Sequence, residues 1–278
     1  MIHNDADRKS PIKIAIAGLG AIGMSVARRI DGGEVDGVRL TAVSAANMER
    51  AQARVAGFES PPAVVALKDL PAQADIIVEC APSAEFSTLA EQVLSNGLCL
   101  MPLSVGALLE RSDLIELAEA TGGRIIVPTG ALIGLDTVRA MAVGTIRSVT
   151  LETRKPPAGL AGAPHLLNNN IDVSNLAEPL CVLRGTAREA ARGFPANVNV
   201  AAALALAGIG AEETKVEIWA DPTIDRNMQS VRIESDSGEA VMTMKNIPSD
   251  ENPRTGRIVA NSVIATLQRL TATLTAGT

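Results

Sequence analysis

The chain has 278 residues, enough for two domains of ordinary size, with 47% apolar and 20% charged residues. A net charge of −6 without any Lys/Arg block speaks against nucleic acid or an anionic membrane as a partner. With one Trp, three Phe and no Tyr, a base-stacking platform is hard to build. Cys80, Cys99 and Cys181 lack metal-ligand spacing and suit a reducing cytosol, so no metal site is expected, and no apolar run reaches the ~18 residues of a membrane span.

Residues 1–10 are polar and read as a flexible tail without the apolar core of a signal peptide. Then comes Ile12-Lys-Ile-Ala-Ile-Ala-Gly18-Leu-Gly20-Ala21-Ile22-Gly23. Its alternating β-branched residues predict a strand, and Met24–Ile30 continues as a helix. Strand, G-x-G-x-x-G turn and helix in that order form a dinucleotide-binding fingerprint. Gly18 permits the tight turn, Gly20 lets a pyrophosphate approach the backbone, and Gly23 lets the helix lie close to the strand. The helix start at Ala21 and Ile22 offers unpaired N–H groups to the phosphates.

Val38–Ser44 reads as the second strand and Asn47–Ala56 as the next helix. NAD-preferring sites place an acid about 20 residues past the glycines, for the ribose. Here Ser44-Ala-Ala-Asn47 carries no carboxylate before Glu49, and Arg50 follows, which favours NADP over NAD. Asp75–Cys80 is a strand and Ala81-Pro82-Ser83 its exit turn; at the carboxyl ends of the strands this places Cys80, Ala81 and Pro82 beside the cofactor. Cys80 reads as a small buried residue rather than a nucleophile. Glu85–Asn96 reads as a helix. Leu98–Leu103 is a strand ending at Ser104, another cofactor-site candidate, followed by a helix over Ser112–Thr121 and a strand over Arg124–Pro128. Five βα repeats give a doubly wound parallel sheet over 11–128.

The rhythm then changes. Leu132–Val143 reads as a helix after Thr129-Gly130-Ala131, which end a strand and are candidates for lining a nicotinamide pocket. Arg147–Thr153 reads as a strand, and Lys155-Pro-Pro through His165 to Asn170 as a loop. Thr186-Ala-Arg-Glu189 is a capping box, and Asn197-Val-Asn199 precedes an Ala/Leu helix ending at Gly208. Strands follow over Lys215–Ala220, Gln229–Ser235 and Ala240–Lys245, the last two joined by a Ser237-Gly238 hairpin. This makes an α+β second domain over 129–252 with a mixed or antiparallel sheet, and a final helix (253–272) packing back on the first domain.

These pieces together resemble the L-aspartate dehydrogenase family over nearly the whole chain. The matching stretches are Gly18–Gly23, Val78-Glu-Cys-Ala-Pro82, Ser104-Val-Gly-Ala107, Gly130-Ala-Leu-Ile-Gly-Leu-Asp136, Thr153-Arg-Lys-Pro-Pro157, Phe194-Pro-Ala-Asn-Val-Asn-Val-Ala-Ala202, Ala220-Asp-Pro222 and Asn252-Pro-Arg-Thr255. The resemblance implies a Rossmann domain plus an α+β domain that also forms a homodimer. It implies oxidation of L-aspartate to iminosuccinate with NAD or NADP, the imine hydrolysing to oxaloacetate and ammonia or feeding quinolinate synthesis. It also points to Asn197, Asn199, Asn227 and Gly130 as substrate residues.

Two positions depart from the family pattern. Where members usually carry Asn-x-His, with the histidine as catalytic acid/base, this chain has Asn227-Met228-Gln229, and Gln229 cannot carry a proton away. Such help is worth about 10²–10⁴-fold in rate. Gly256 stands where the family has Ser. His165, in its Gly/Pro-rich loop, and Lys155 are the candidate substitutes, each also explained as an exposed surface residue. Three readings remain open at this level. They are a dehydrogenase acting on L-aspartate or a similar amino acid, an imine reductase or dehydrogenase of the same fold with another substrate, and a nucleotide-binding homologue without turnover.

Overall fold

The computed structural model describes residues 10–195, 198–249, 251–252 and 255–277. The chain divides into two compact units. The first comprises residues 1–102, 113–126 and 263–275; the second comprises 103–112, 127–262 and 276–278.

The first unit is built on a six-stranded parallel sheet in the order β3-β2-β1-β4-β5-β6. Its strands are β1 (Ile12–Ala17), β2 (Val38–Ser44), β3 (Ala63–Val64), β4 (Ile76–Glu79), β5 (Cys99–Pro102) and β6 (Arg124–Ile125). Ile14, Ile16, Ile77 and Val78 are fully buried, as expected for strands covered on both faces. The crossover helices are α1 (Ala21–Asp31), α2 (Met48–Val55), α3 (Phe86–Ser95) and α5 (Asp113–Thr121). The strand order reverses between β1 and β4, which is where such sheets bind ligands. Strand β3 was not foreseen, being two residues long. Strand β6 stops at Ile125 rather than Pro128, a residue without an N–H to give to the ladder. Thr129–Ala131 therefore lies in a loop and ends no strand. Val263, Ile264 and Leu267 of α10 (Ile258–Thr271) are buried, and Gln268 Nε2 donates to the Glu34 carbonyl at 2.9 Å. The helix starts at Ile258, later than foreseen, because Gly256 is taken up in a bridge with Pro248; Pro253, Arg254 and the tail through Lys9 lie outside the described residues.

The second unit carries a five-stranded sheet in the order β11-β10-β7-β9-β8. These strands are β7 (Ile146–Lys155), β8 (Leu180–Thr186), β9 (Lys215–Ala220), β10 (Met228–Ser235) and β11 (Glu239–Lys245). The sheet is mixed: β7 and β9 run parallel and the other pairs antiparallel. One face carries Val149, Leu151, Val216, Ile218, Val231 and Ile233, packed in one cluster with α9 (Asn199–Ala207), whose Ala201–Ala205 are all buried. With so few aromatics, alanine brings the helix backbone close to the sheet and fills the space that rings would otherwise take. The other face holds Glu152, Arg154, Glu217 and Trp219, with the Arg154 guanidinium 4.7 Å from the Trp219 ring centre.

Five elements depart from the sequence reading. Strand β7 runs on to Lys155, and the stretch read as a loop contains a 3-10 turn (Pro157–Gly159) and helix α7 (Pro164–Asn168), which starts with Pro164 in its first turn, where a proline's missing N–H costs nothing. Strand β8 occupies a stretch with no assigned element. Helix α6 (Leu135–Val143) begins after Gly134, not at Leu132, because Gly134 sits at φ +76°.

The capping box of α8 (Ala187–Gly193) forms as read: Thr186 N–H donates to Glu189 Oε2 at 2.7 Å, and Glu189 N–H to Thr186 Oγ1 at 3.2 Å. Replacing Thr186 by Ala is expected to lower stability by about 1 kcal/mol, read from urea unfolding.

Candidate active site

In the first unit the glycine turn meets the exit of β4. Gly18 has φ +95°, and a Cβ built on it would lie 2.4 Å from the Cys80 carbonyl oxygen; its N–H donates to the Ser44 carbonyl at 2.7 Å. A Cβ on Gly23 would come within 1.9 Å of the Gly18 carbonyl oxygen, so α1 sits against β1 only because that position is Gly. Gly20, at the N-cap of α1 with no side-chain cap, has nothing within 4 Å of where its Cβ would be. This open space in front of the Ala21 and Ile22 end of the helix suits a pyrophosphate. Arg54 of α2 donates to the Leu19 carbonyl and braces the turn, a contact no motif announces. Ser44 ends β2 beside the turn, and Cys80 follows β4, which stops at Glu79 rather than at Cys80 as foreseen; half-buried Ala81 and exposed Pro82 come next. Burial, and after it the charge of Glu79, pushes the Cys80 thiol far up, which disfavours the thiolate form. Asn47 Oδ1 accepts from Arg50 N–H and caps α2; Arg50 itself is an exposed residue in the first turn of that helix.

In the second unit Gln229 lies opposite Thr153 across β10 and β7. Gln229, Thr153 and Lys155 are 3%, 5% and 7% exposed and share the helix-covered face of the sheet. Gln229 Oε1 accepts from Asn246 Nδ2, which also donates to the Ala131 carbonyl at 3.1 Å. Among the described residues Asn246 Oδ1 is buried without a hydrogen-bond partner, and a Cβ on Gly256 would lie 3.1 Å from it. Gln229 and Gly256 therefore both adjoin Asn246, a residue the sequence reading missed because nothing in its local pattern marks it.

Lys155 corrects an expectation: it is no exposed charge ahead of two prolines but the buried last residue of β7. Its carbonyl accepts from Asp221 N–H at 2.8 Å, and desolvation pushes its ammonium pKa down to about 8. A cavity of about 440 Å³ opens beside it, lined also by Pro156, Phe194, Arg226, Asn227 and Pro248. His165 does not line this cavity. It sits in α7, half-buried, with its ring 5.4 Å from that of Phe194.

Asn199 opens α9 but caps nothing; its Oδ1 accepts from Gly106 N–H of α4 (Val105–Leu109) at 3.0 Å. Ser104 precedes α4 without capping it. Gly130, at φ +65°, donates to Ser262 Oγ at 3.1 Å. The Asn227 carbonyl accepts from Asn246 N–H at 2.9 Å. Asn197 lies outside the described residues.

Comparison with known proteins places these features in a family. Residues 18–128 match the family described as homoserine dehydrogenase, NAD binding domain, and residues 136–270 the family described as aspartate dehydrogenase, C-terminal. The chain is 51% identical over 277 residues to L-aspartate dehydrogenase of Bradyrhizobium diazoefficiens, covering all of this chain and 98% of that one. The chain belongs to the L-aspartate dehydrogenase family. It is also 50% identical to L-aspartate dehydrogenase 3 of Bordetella bronchiseptica, over 97% of this chain and 99% of that one. The crystal structure of aspartate dehydrogenase from Thermotoga maritima superposes with a TM-score of 0.73 at 25% identity, covering 96% of this chain and 99% of that one. As a member of the L-aspartate dehydrogenase family, the chain is an oxidoreductase built around a nicotinamide cofactor, and the cradle at Gly18–Gly23 fits that group. Among the described residues no helix is long and apolar enough to cross a membrane, and no cluster of His, Cys, Asp or Glu could hold a metal ion.

Gly20→Ala should leave stability within about 0.5 kcal/mol of wild type while weakening cofactor binding. Gly23→Ala should cost about 1–3 kcal/mol of stability from the forced close contact; thermal unfolding and dinucleotide titration separate the two. At Gly256, Ser should be more stable than Ala by about 1 kcal/mol, since only its hydroxyl can donate to Asn246 Oδ1; urea unfolding of both variants checks this.

Proposed function

We propose that this protein catalyses the NAD(P)-dependent oxidation of the α-amine of L-aspartate, giving the imine and, on hydrolysis, the oxo acid and ammonia. The observation that carries this reading is the full-length match to proteins named L-aspartate dehydrogenase, together with an intact dinucleotide cradle. When bound, the nicotinamide ring accepts the hydride that leaves Cα. The chain supplies the rest: the open space over Gly20 and the N-terminus of α1 for the pyrophosphate, and polar groups for a substrate with two carboxylates. Asn227 lines the cavity, and Asn199 keeps its amide N–H₂ as donor while its oxygen holds Gly106. Asn197 and Gly130 complete the proposed substrate residues.

NADP is the preferred cofactor in this reading. Ser44-Ala-Ala-Asn47 brings no carboxylate to the ribose, the Asn47 oxygen is committed to capping α2, and the Arg50 guanidinium stands exposed beside it. A cytosolic setting suits the three free thiols, and a homodimer follows the family resemblance.

The test is reduction of NADP⁺ and NAD⁺ with L-aspartate, run on the wild type and on Gln229→His after cofactor binding to both is established. Wild-type turnover with NADP⁺ favoured is the expected result. A silent wild type revived by the histidine would mean a pocket shaped for aspartate but a different native reaction; silence in both would remove aspartate as the substrate. Arg50→Ala should raise KM for NADP⁺ by about tenfold or more, the size of a lost charge-assisted hydrogen bond, with KM for NAD⁺ changing far less.

A further inference from the structure

We propose that Lys155 is the catalytic residue that takes the substrate's proton in this chain, in the role that the imidazole has where the family carries histidine at position 229. The inference rests on the aspartate reading above. Its basis is the register of β7 and β10. Gln229 pairs with Thr153, so Lys155 is the diagonal neighbour of Gln229 on the same buried face. Such neighbours lie roughly 7–8 Å apart, within reach of a long side chain. Lys155 lines the cavity together with Asn227, two residues before Gln229 of β10, whereas Gln229 itself is not in the lining.

The step balances. Neutral Lys155 Nζ takes one proton from the α-ammonium of L-aspartate. As the hydride leaves Cα for the cofactor, the freed nitrogen lone pair becomes the second bond of C=N. The product is the protonated imine, and Lys155 is left as an ammonium that returns its proton to water. A lysine with an ordinary pKa would hold its proton at neutral pH; burial brings this one to about 8, close enough to serve as a base.

Among the described residues, charged groups near the cavity have partners of their own. Asp225 and Arg226, at the cavity lining, pair with each other through two contacts of 2.7 Å. The Asp221 carboxylate accepts from Thr223 and from Arg154, the latter at 3.2 Å. Arg257 donates to the Pro248 carbonyl, and His165 of α7 packs on Phe194. The 3-10 turn, Ala220 of β9 and Gln229 of β10 bring no charge.

Three proteins test this: wild type, Lys155→Arg, and Lys155→Arg/Gln229→His, each assayed with L-aspartate and NADP⁺ across pH. The wild-type kcat is expected to rise through pH ~8. Lys155→Arg should lose about 10²–10⁴-fold in kcat with little change in KM. The double variant should recover activity on a limb near the ordinary histidine pKa of about 6.5. Should the buried guanidinium unfold the protein, Lys155→Met replaces it in both variants. Independently of turnover, the lysine ¹³Cε NMR signal absent from the variant should titrate near 8 in the cofactor-free wild type. Retained kcat in the variant, a raised KM alone (a carboxylate-holding role), or an ordinary lysine titration would overturn the proposal while leaving the aspartate reading intact. A wild type that binds cofactor but never oxidises L-aspartate overturns the reading itself, and the proposal with it.

Discussion

Gln229 faces Thr153 across β10 and β7, and side chains alternate strictly along a strand. That register alone puts Gln229, Thr153 and Lys155 on the face covered by helices and sends Arg154 and Glu152 to the other. A slip of one residue would turn the whole set over and bury a guanidinium and a carboxylate in their place. The aliphatic row of Val149, Leu151, Val231 and Ile233 behind them resists such a slip, because it would have to leave the core at the same time. The polar end of the sheet is thus held in position by its apolar middle.

The first unit was largely legible because its signals are local. Glycines at fixed spacing, a β-branched run before them and a helix after them are consequences of backbone geometry, and the structure shows why each glycine stands where it does. The capping box at Thr186 was readable for the same reason. What escaped depended on partners far along the chain. Lys155 carries a charge and precedes two prolines, a local pattern that reads as loop, yet its pairing with Ala220 extends β7 through it. Leu180–Thr186 forms an edge strand whose burial does not alternate cleanly, so period-two reading had little to find. The parallel pairing of β7 and β9 requires a crossover between strands distant in sequence, which no turn signal can announce.

The candidate residues sort along the same line. Gly18, Gly20 and Gly23 were read for reasons that the local geometry repeats. Asn199 was read as a substrate contact, and no local pattern announces that its oxygen joins the start of α9 to α4 through Gly106. His165, the obvious spare imidazole, lies against Phe194, while the less conspicuous Lys155 lines the cavity. A sequence shows which groups could do chemistry; register and burial decide which of them keep company.

Asn246 ties together the two positions at which the chain departs from its family. One of its amide hydrogens goes to Gln229, and its oxygen, without a hydrogen-bond partner among the described residues, lies beside the space that Gly256 leaves open. The side chain at 229 and the Ala131 carbonyl together hold this amide, and its oxygen faces the space at 256. Replacements at 229 and 256 are expected to couple energetically, as residues that share a partner do. A change at one of the two positions is therefore felt at the other through one buried amide.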